Sequence, residues 1–151
     1  MGLQTGIFLF LTNATPALVD NTQEDLWVVD NKTTTGHPPG FLLRHKKNEV
    51  KKLTADGSLI GIFPASYSNF GEKKIQLEPG DKIFLYTDAI IEAFNKKGEM
   101  LDLKYLQVML QEHIHLPIDQ LLEEAYQHGL EFSGEPSYDD DATLVGFEVL
   151  E

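Results

Sequence analysis

The 151-residue chain contains no cysteine. That removes a disulfide framework, a thiolate zinc site and a cysteine nucleophile, and it is compatible with the cytoplasm. Basic residues are scarce: 12 Lys and Arg stand against 24 Asp and Glu, for a net charge of −12. Such a balance argues against a nucleic-acid backbone or an anionic membrane surface as partner. Long apolar runs are missing as well. Gly6–Leu11, the most continuous one, is too short to span a bilayer, and no basic segment precedes it as in a signal peptide. There is no Gly-rich Walker loop, no His-Glu-x-x-His zincin pattern and no Gly-x-Ser-x-Gly elbow. His113 and His115 are two apart, a spacing that diverges on a helix and does not suit a zinc pair.

What is present reads as one α+β domain over residues 1–151, largely antiparallel strands with two or three helices late in the chain. The pattern predicts strands at Gly6–Leu11 and Leu26–Asp30, and a hairpin of Phe41–His45 with Glu49–Leu53 around a basic tip. Leu59–Phe63 is a short apolar run. Lys73–Leu77 is expected to pair with Lys82–Tyr86 through the Glu78–Asp81 turn. Apolar residues at helical spacing predict helices at Leu103–His113 and Pro117–Phe132, with Gly129 weakening the second near its end. Both helices should pack on one face of the sheet. Gly6–Leu11 has no earlier strand to pair with, so it joins the same sheet or a second chain, the latter giving a homodimer.

The stretch Asp81–Phe94 carries the first chemical signal. An apolar strand, Lys82–Tyr86, runs into Thr87-Asp88, and Ala89–Phe94 then reads as a helical turn or two. A carboxylate at the C-terminal end of a buried strand can cap the following helix or hold a divalent cation. The second signal is Asp139-Asp140-Asp141, which opens into the alternating strand Leu144–Val149. Three adjacent carboxylates repel one another and favour either a solvated turn or a cation.

Four motifs in order are similar to those of the bacterial PPM-type (PP2C-like) protein serine/threonine phosphatases, in the branch of sporulation and stress sigma-factor regulators. Gly80-Asp81, Leu85–Asp88 and Glu92-Ala93 resemble that family's "GD…LYTDG…EA". Asp140–Thr143 resembles its terminal "DDxT". Gly36–Pro39 with Phe41–Arg44 resembles "AGHPP…LLR", and Leu59–Phe63 resembles "PLGLF". The resemblance covers most of the chain. It implies a partial PP2C-like α/β sandwich and a two-metal centre holding Mn²⁺ or Mg²⁺. In that centre a bridging water attacks the phosphorus of phosphoserine or phosphothreonine directly, and the partner is a phosphorylated regulatory protein. Carried over by position, Asp88 and Asp140 would be metal ligands. Asp141 is a secondary candidate for binding a ligand water, and His37, in its Gly-Pro-Pro turn, is a further candidate with no catalytic role assigned.

Two departures from the pattern carry expectations of their own. Ala89 stands where the family has glycine, which would cost about 1 kcal/mol if the position requires φ > 0. Nothing in Met1–Gly6 matches the family's early "GD" and "DxSGHG" motifs, which supply the aspartate bridging both metals. The chain is therefore expected to be a fragment or half-domain, inactive or weak alone. Two readings follow: the C-terminal part of a metal-dependent phosphatase, or a non-catalytic phosphatase-like interaction module. A small domain binding calcium through Asp139–Asp141 is a third, thinner one.

Overall fold

The computed structural model describes residues 17–20, 25–29, 38–53 and 72–150. The strand expected at Gly6–Leu11, with the homodimer tied to it, the His37 turn and Leu59–Phe63 lie outside those residues. In chain order the elements are β1 (Ala17–Asp20), β2 (Asp25–Val29), β3 (Gly40–Arg44), β4 (Glu49–Leu53), β5 (Glu72–Gln76), β6 (Lys82–Tyr86), α1 (Leu103–Glu112), α2 (Ile118–Ser133) and β7 (Leu144–Glu148). They fall into two compact units, divided at Pro39/Gly40, Lys52/Leu53 and Glu78/Pro79.

The first unit contains a three-stranded antiparallel sheet in the order β1-β2-β5, with Leu18 opposite Trp27 and Leu26 opposite Ile75. This corrects the pairing expected of β5. It bonds to β2 and makes no hairpin with β6. The reason lies in β6, whose two edges are taken by β3 and β7. The turn also steers the chain away from a hairpin. Gly80, at φ +87°, donates its N–H to the Val149 carbonyl at 2.8 Å, and Val149 N–H donates to the Asp81 carbonyl at 2.9 Å. A positive φ costs glycine nothing, so the chain enters β6 already bonded to the end of β7.

The second unit is a four-stranded sheet, β4-β3-β6-β7, with both helices on one of its faces. The pairs β3–β6 and β6–β7 are antiparallel, with Phe41 opposite Phe84 and Phe84 opposite Gly146. Alternation puts Phe41, Leu43, Phe84 and Tyr86 on the helix side, where they join Leu106, Met109, Leu110, Leu121 and Ala125 in one buried cluster. Burying such side chains at about 1.5–3 kcal/mol each supplies most of the unit's stabilisation. Glycine at 146 lets α2 approach closely: a Cβ there would lie 2.5 Å from Ile118 Cδ1.

Both helices follow the spacing read from the sequence. Val108 of α1 is 48% exposed and lies off the core face. α2 runs through Gly129 to Ser133 and closes on Gly134 in the left-handed region. Acidic side chains take up an N–H at the start of each helix. Asp102 accepts the Tyr105 N–H at 2.8 Å at the start of α1, and Glu148, across the sheet, accepts the Ile118 N–H at 3.0 Å at the start of α2. The other Glu148 oxygen lies 3.3 Å from the buried Lys82 ammonium, which also donates to the Ile114 carbonyl.

Candidate functional site

Asp88 stands two residues beyond the end of β6, and Asp140 stands four residues before the start of β7. The register between those strands sets Tyr86 opposite Leu144, and one step further it sets Thr87 against Thr143. Three hydrogen bonds fix that step. Thr87 N–H donates to the Thr143 carbonyl at 3.0 Å, Thr87 Oγ1–H to the Asp141 carbonyl at 3.1 Å, and Thr143 N–H to Thr87 Oγ1 at 3.0 Å. The threonine hydroxyl thus both donates and accepts, and it ties the acidic loop to the end of β6. Asp88 and the Asp139–Asp141 loop emerge at the same end of the sheet, although 52 positions separate Asp88 from Asp140.

After Thr87 the chain makes a short 3₁₀ turn, Asp88–Ile90, whose N-cap is Thr87 and not Asp88. The Asp88 carboxylate accepts the Ala89 N–H at 3.1 Å through Oδ1, and its main-chain carbonyl accepts from Ile91 and Glu92, both at 2.9 Å. Asp140 repeats the side-chain pattern: its Oδ1 accepts the Asp141 N–H at 2.7 Å. In each carboxylate one oxygen is held by the following main chain. Among the described residues neither pairs with a basic side chain. The donor set is of hard carboxylate oxygens, the type that Mn²⁺ and Mg²⁺ take. Asp141 contributes its carbonyl to Thr87 and is exposed.

Ala89 needs no strained backbone. Among the described residues the one non-glycine with positive φ is Asn48, at 49°. The cost expected of replacing the family glycine is therefore not incurred, because the 3₁₀ turn is right-handed.

The expected helical turns over Ala89–Phe94 are shorter than read. The chain leaves the 3₁₀ turn, and Phe94 forms an antiparallel bridge with Met100. Asn95 Oδ1 builds the intervening turn by accepting the N–H groups of Lys97 and Glu99. Phe94 and Met100 are both about half exposed. A cleft of about 260 Å³ lies beside this hairpin, its wall including Ala89, Glu92, Phe94, Ser133, Tyr138 and Asp140. Asp140 thus faces a space large enough for a small ligand, whereas Asp88 is not part of that wall.

Sequence reasoning passed over three residues. Thr87 was read only as a letter of its motif, yet its hydroxyl joins the two acidic segments. Arg44 and Asp81 also belong to matched motifs. They form an ion pair of 2.7 Å at the opposite end of β6, with Asp81 buried, so their part is structural. The register accounts for the pair: Leu43 stands opposite Lys82, which places Arg44 against Asp81. His113 closes α1, its Nδ1 lying 3.0 Å from the Met109 carbonyl. Among the described residues no three His, Asp or Glu side chains gather as a metal cluster.

The family model described as Stage II sporulation protein E (SpoIIE) matches residues 16–150. No curated protein matches the chain. Among solved structures, the RsbU and RsbW domains of a Mycobacterium tuberculosis protein are 23% identical with a TM-score of 0.67, over 89% of this chain and 35% of that one. The SiaA-PP2C domain of Pseudomonas aeruginosa is 21% identical with a TM-score of 0.69, over 87% and 49%. The Mn-presoaked phosphatase domain of the cell fate determinant SpoIIE from Bacillus subtilis is 19% identical with a TM-score of 0.62, over 97% and 57%. At such identities the likeness is one of fold. This chain spans between 35% and 57% of the length of those three structures.

Proposed function

Because this chain belongs to the SpoIIE family, we propose that it is the C-terminal portion of a metal-dependent protein serine/threonine phosphatase domain. The substrate class is phosphoserine or phosphothreonine on a regulatory protein, in sigma-factor or partner-switching signalling. The observation that carries the reading is the Thr87 clamp, which joins the Asp88 turn to the Asp140–Asp141 loop at one end of the β6–β7 pair. The Mn presoak of the similar Bacillus subtilis domain supports the choice of cation.

In this reading Asp88 and Asp140 hold the cation through the oxygens their main chains leave over, and Asp141 accepts from a ligand water. When bound, divalent cations lower the pKa of a water molecule and offset the charge of phosphoryl oxygens. The chain's own contribution is to bring the Asp88 turn and the Asp140–Asp141 loop to the same end of the β6–β7 pair and hold them there. Thr87 fixes the distance between their segments, and the sheet beneath fixes Thr87. Without a cation the neighbouring carboxylates of Asp139, Asp140 and Asp141 repel one another, so cation binding should stabilise the fold.

A thermal titration tests this. Mn²⁺ should raise the melting temperature by an amount that grows with its concentration. Asp88→Asn and Asp140→Asn should each reduce the gain, and Asp139→Asn should leave it nearly unchanged. Equal gains in all three variants would sink the assignment.

A second reading, a non-catalytic phosphatase-like interaction module, is favoured by the cleft, whose wall includes Asp140 and not Asp88. Phosphate release from a phosphoserine peptide by the whole protein, in Mn²⁺, separates the two: turnover supports the enzyme, and tight binding without turnover supports the module.

A further inference from the structure

Asp140 sits on a surface loop, yet a ligand must be held within a fraction of an ångström to be useful. One side of the loop is tied by Thr87, which bonds the Asp141 carbonyl and the Thr143 N–H. The other side is tied by Tyr138. Its hydroxyl donates to the Tyr126 carbonyl of α2 at 2.9 Å, and the two rings pack at 5.1 Å between centroids. The hydroxyl reaches that carbonyl because residue 129, one turn further along the helix, is glycine. A Cβ on Gly129 would overlap the Tyr138 hydroxyl and crowd its ring. Gly129 is buried under that contact. Glycine inside a helix costs stability relative to alanine, so its presence in mid-α2 calls for a reason, and this seat supplies one.

Resting on the metal reading above, we propose that Tyr138, seated on Gly129, is a positioning residue that fixes Asp140 for the cation. The loop is pinned at Tyr138 and again at Asp141, so Asp140 lies within a span of four residues fixed at both ends. Among the described residues, Tyr138 is the one side chain between Pro136 and Asp140 that bonds to a helix. Tyr138 also lines the cleft that Asp140 faces, so the ring that anchors the loop forms part of the same wall. Groups that orient a ligand from behind commonly govern metal affinity about as strongly as tenfold or more.

The test uses Tyr138→Phe, which keeps the ring and removes only the hydroxyl, and Gly129→Ala, which closes the seat. Two readouts are taken: amide hydrogen exchange at Asp139–Thr143, and the Mn²⁺ dissociation constant by calorimetry. Tyr138→Phe should speed exchange in the loop about fivefold, as loss of one net hydrogen bond implies. It should weaken Mn²⁺ about tenfold, with helical circular dichroism unchanged. Gly129→Ala should do the same more strongly, and if it fails to fold, Tyr138→Phe still decides. A structural role alone would lower the melting temperature and leave the dissociation constant where it was. Unchanged exchange and affinity in Tyr138→Phe, while Asp140→Asn loses Mn²⁺, would overturn the positioning role and leave the metal reading standing. Absence of Mn²⁺ binding by the unaltered chain would overturn both.

Discussion

Replacing Asp81 with alanine should destabilise the second unit without touching the proposed metal site. The Asp81 carboxylate is 2% exposed and lies 2.7 Å from the Arg44 guanidinium, itself 14% exposed. Removing one member of a buried pair costs about 3–5 kcal/mol, because the other charge remains where water reaches it poorly. Arg44 keeps some access to solvent, which puts the cost at the lower end, about 3 kcal/mol. For a chain of this size each kcal/mol moves the midpoint by about 2–4 °C, so the melting temperature should fall by roughly 6–12 °C. Urea unfolding should show a lower midpoint with an unchanged slope. Arg44→Met alone should cost a similar amount, and the double variant Asp81→Ala/Arg44→Met less than the sum, which a double-mutant cycle measures directly. Asp81 and Asp88 stand at opposite ends of β6, roughly 20 Å apart at about 3.3 Å per residue, so the stabilisation by Mn²⁺ should be preserved. A loss below about 1 kcal/mol, the range of exposed pairs, would refute the structural assignment. So would a variant that folds normally but no longer responds to Mn²⁺, since Asp81 would then belong to the metal chemistry.

Two further outcomes test the packing. Gly146→Ala drives a methyl group against Ile118 Cδ1 and Cγ1, both 2.5 Å from the new Cβ, and should cost about 1–3 kcal/mol in a urea titration; a neutral effect would mean that α2 sits further from β7 than described. Burial raises the pKa of Tyr86, and burial followed by Tyr126 pushes that of Tyr138 up to about 12. An unfolded tyrosine ionises near 10, so the stability tied to the neutral Tyr138 phenol is complete below about pH 10 and is lost as pH rises from there toward about 12. Phenolate absorbance at about pH 11 should show Tyr86 and Tyr138 still protonated in the folded chain, and their early titration would contradict the burial.

The parts of the fold that were legible in the sequence are those set by local pattern. Lys82–Tyr86 is an apolar run bounded by Pro79-Gly80, the two helices carry a stripe at helical spacing, and β7 alternates. Each of these is a property of a short window. What was not legible depends on residues far apart. Whether β5 pairs with β2 or with β6 is decided by which strand edges remain open, and only the assembled sheet says so. Gly129 looked like a helix weakener because the residue that needs its missing side chain, Tyr138, comes nine positions later and after the helix has ended. The candidate site divides the same way. Asp88 and Asp140 are candidates as motif letters alone, whereas the Thr87 hydroxyl that joins their segments is visible only once the register is known.

The central claim is that Asp88 and Asp140 share a cation, and a crystal soaked in Mn²⁺ and measured at the manganese absorption edge tests it most directly. An anomalous peak is expected at about 2.0–2.6 Å from a carboxylate oxygen of each residue, with Thr87 still bonded to Asp141 and Thr143 beneath it. A peak at Asp139 instead, or Asp88 and Asp140 carboxylates more than about 8 Å apart with no peak between them, beyond the reach of a shared ion, would contradict it.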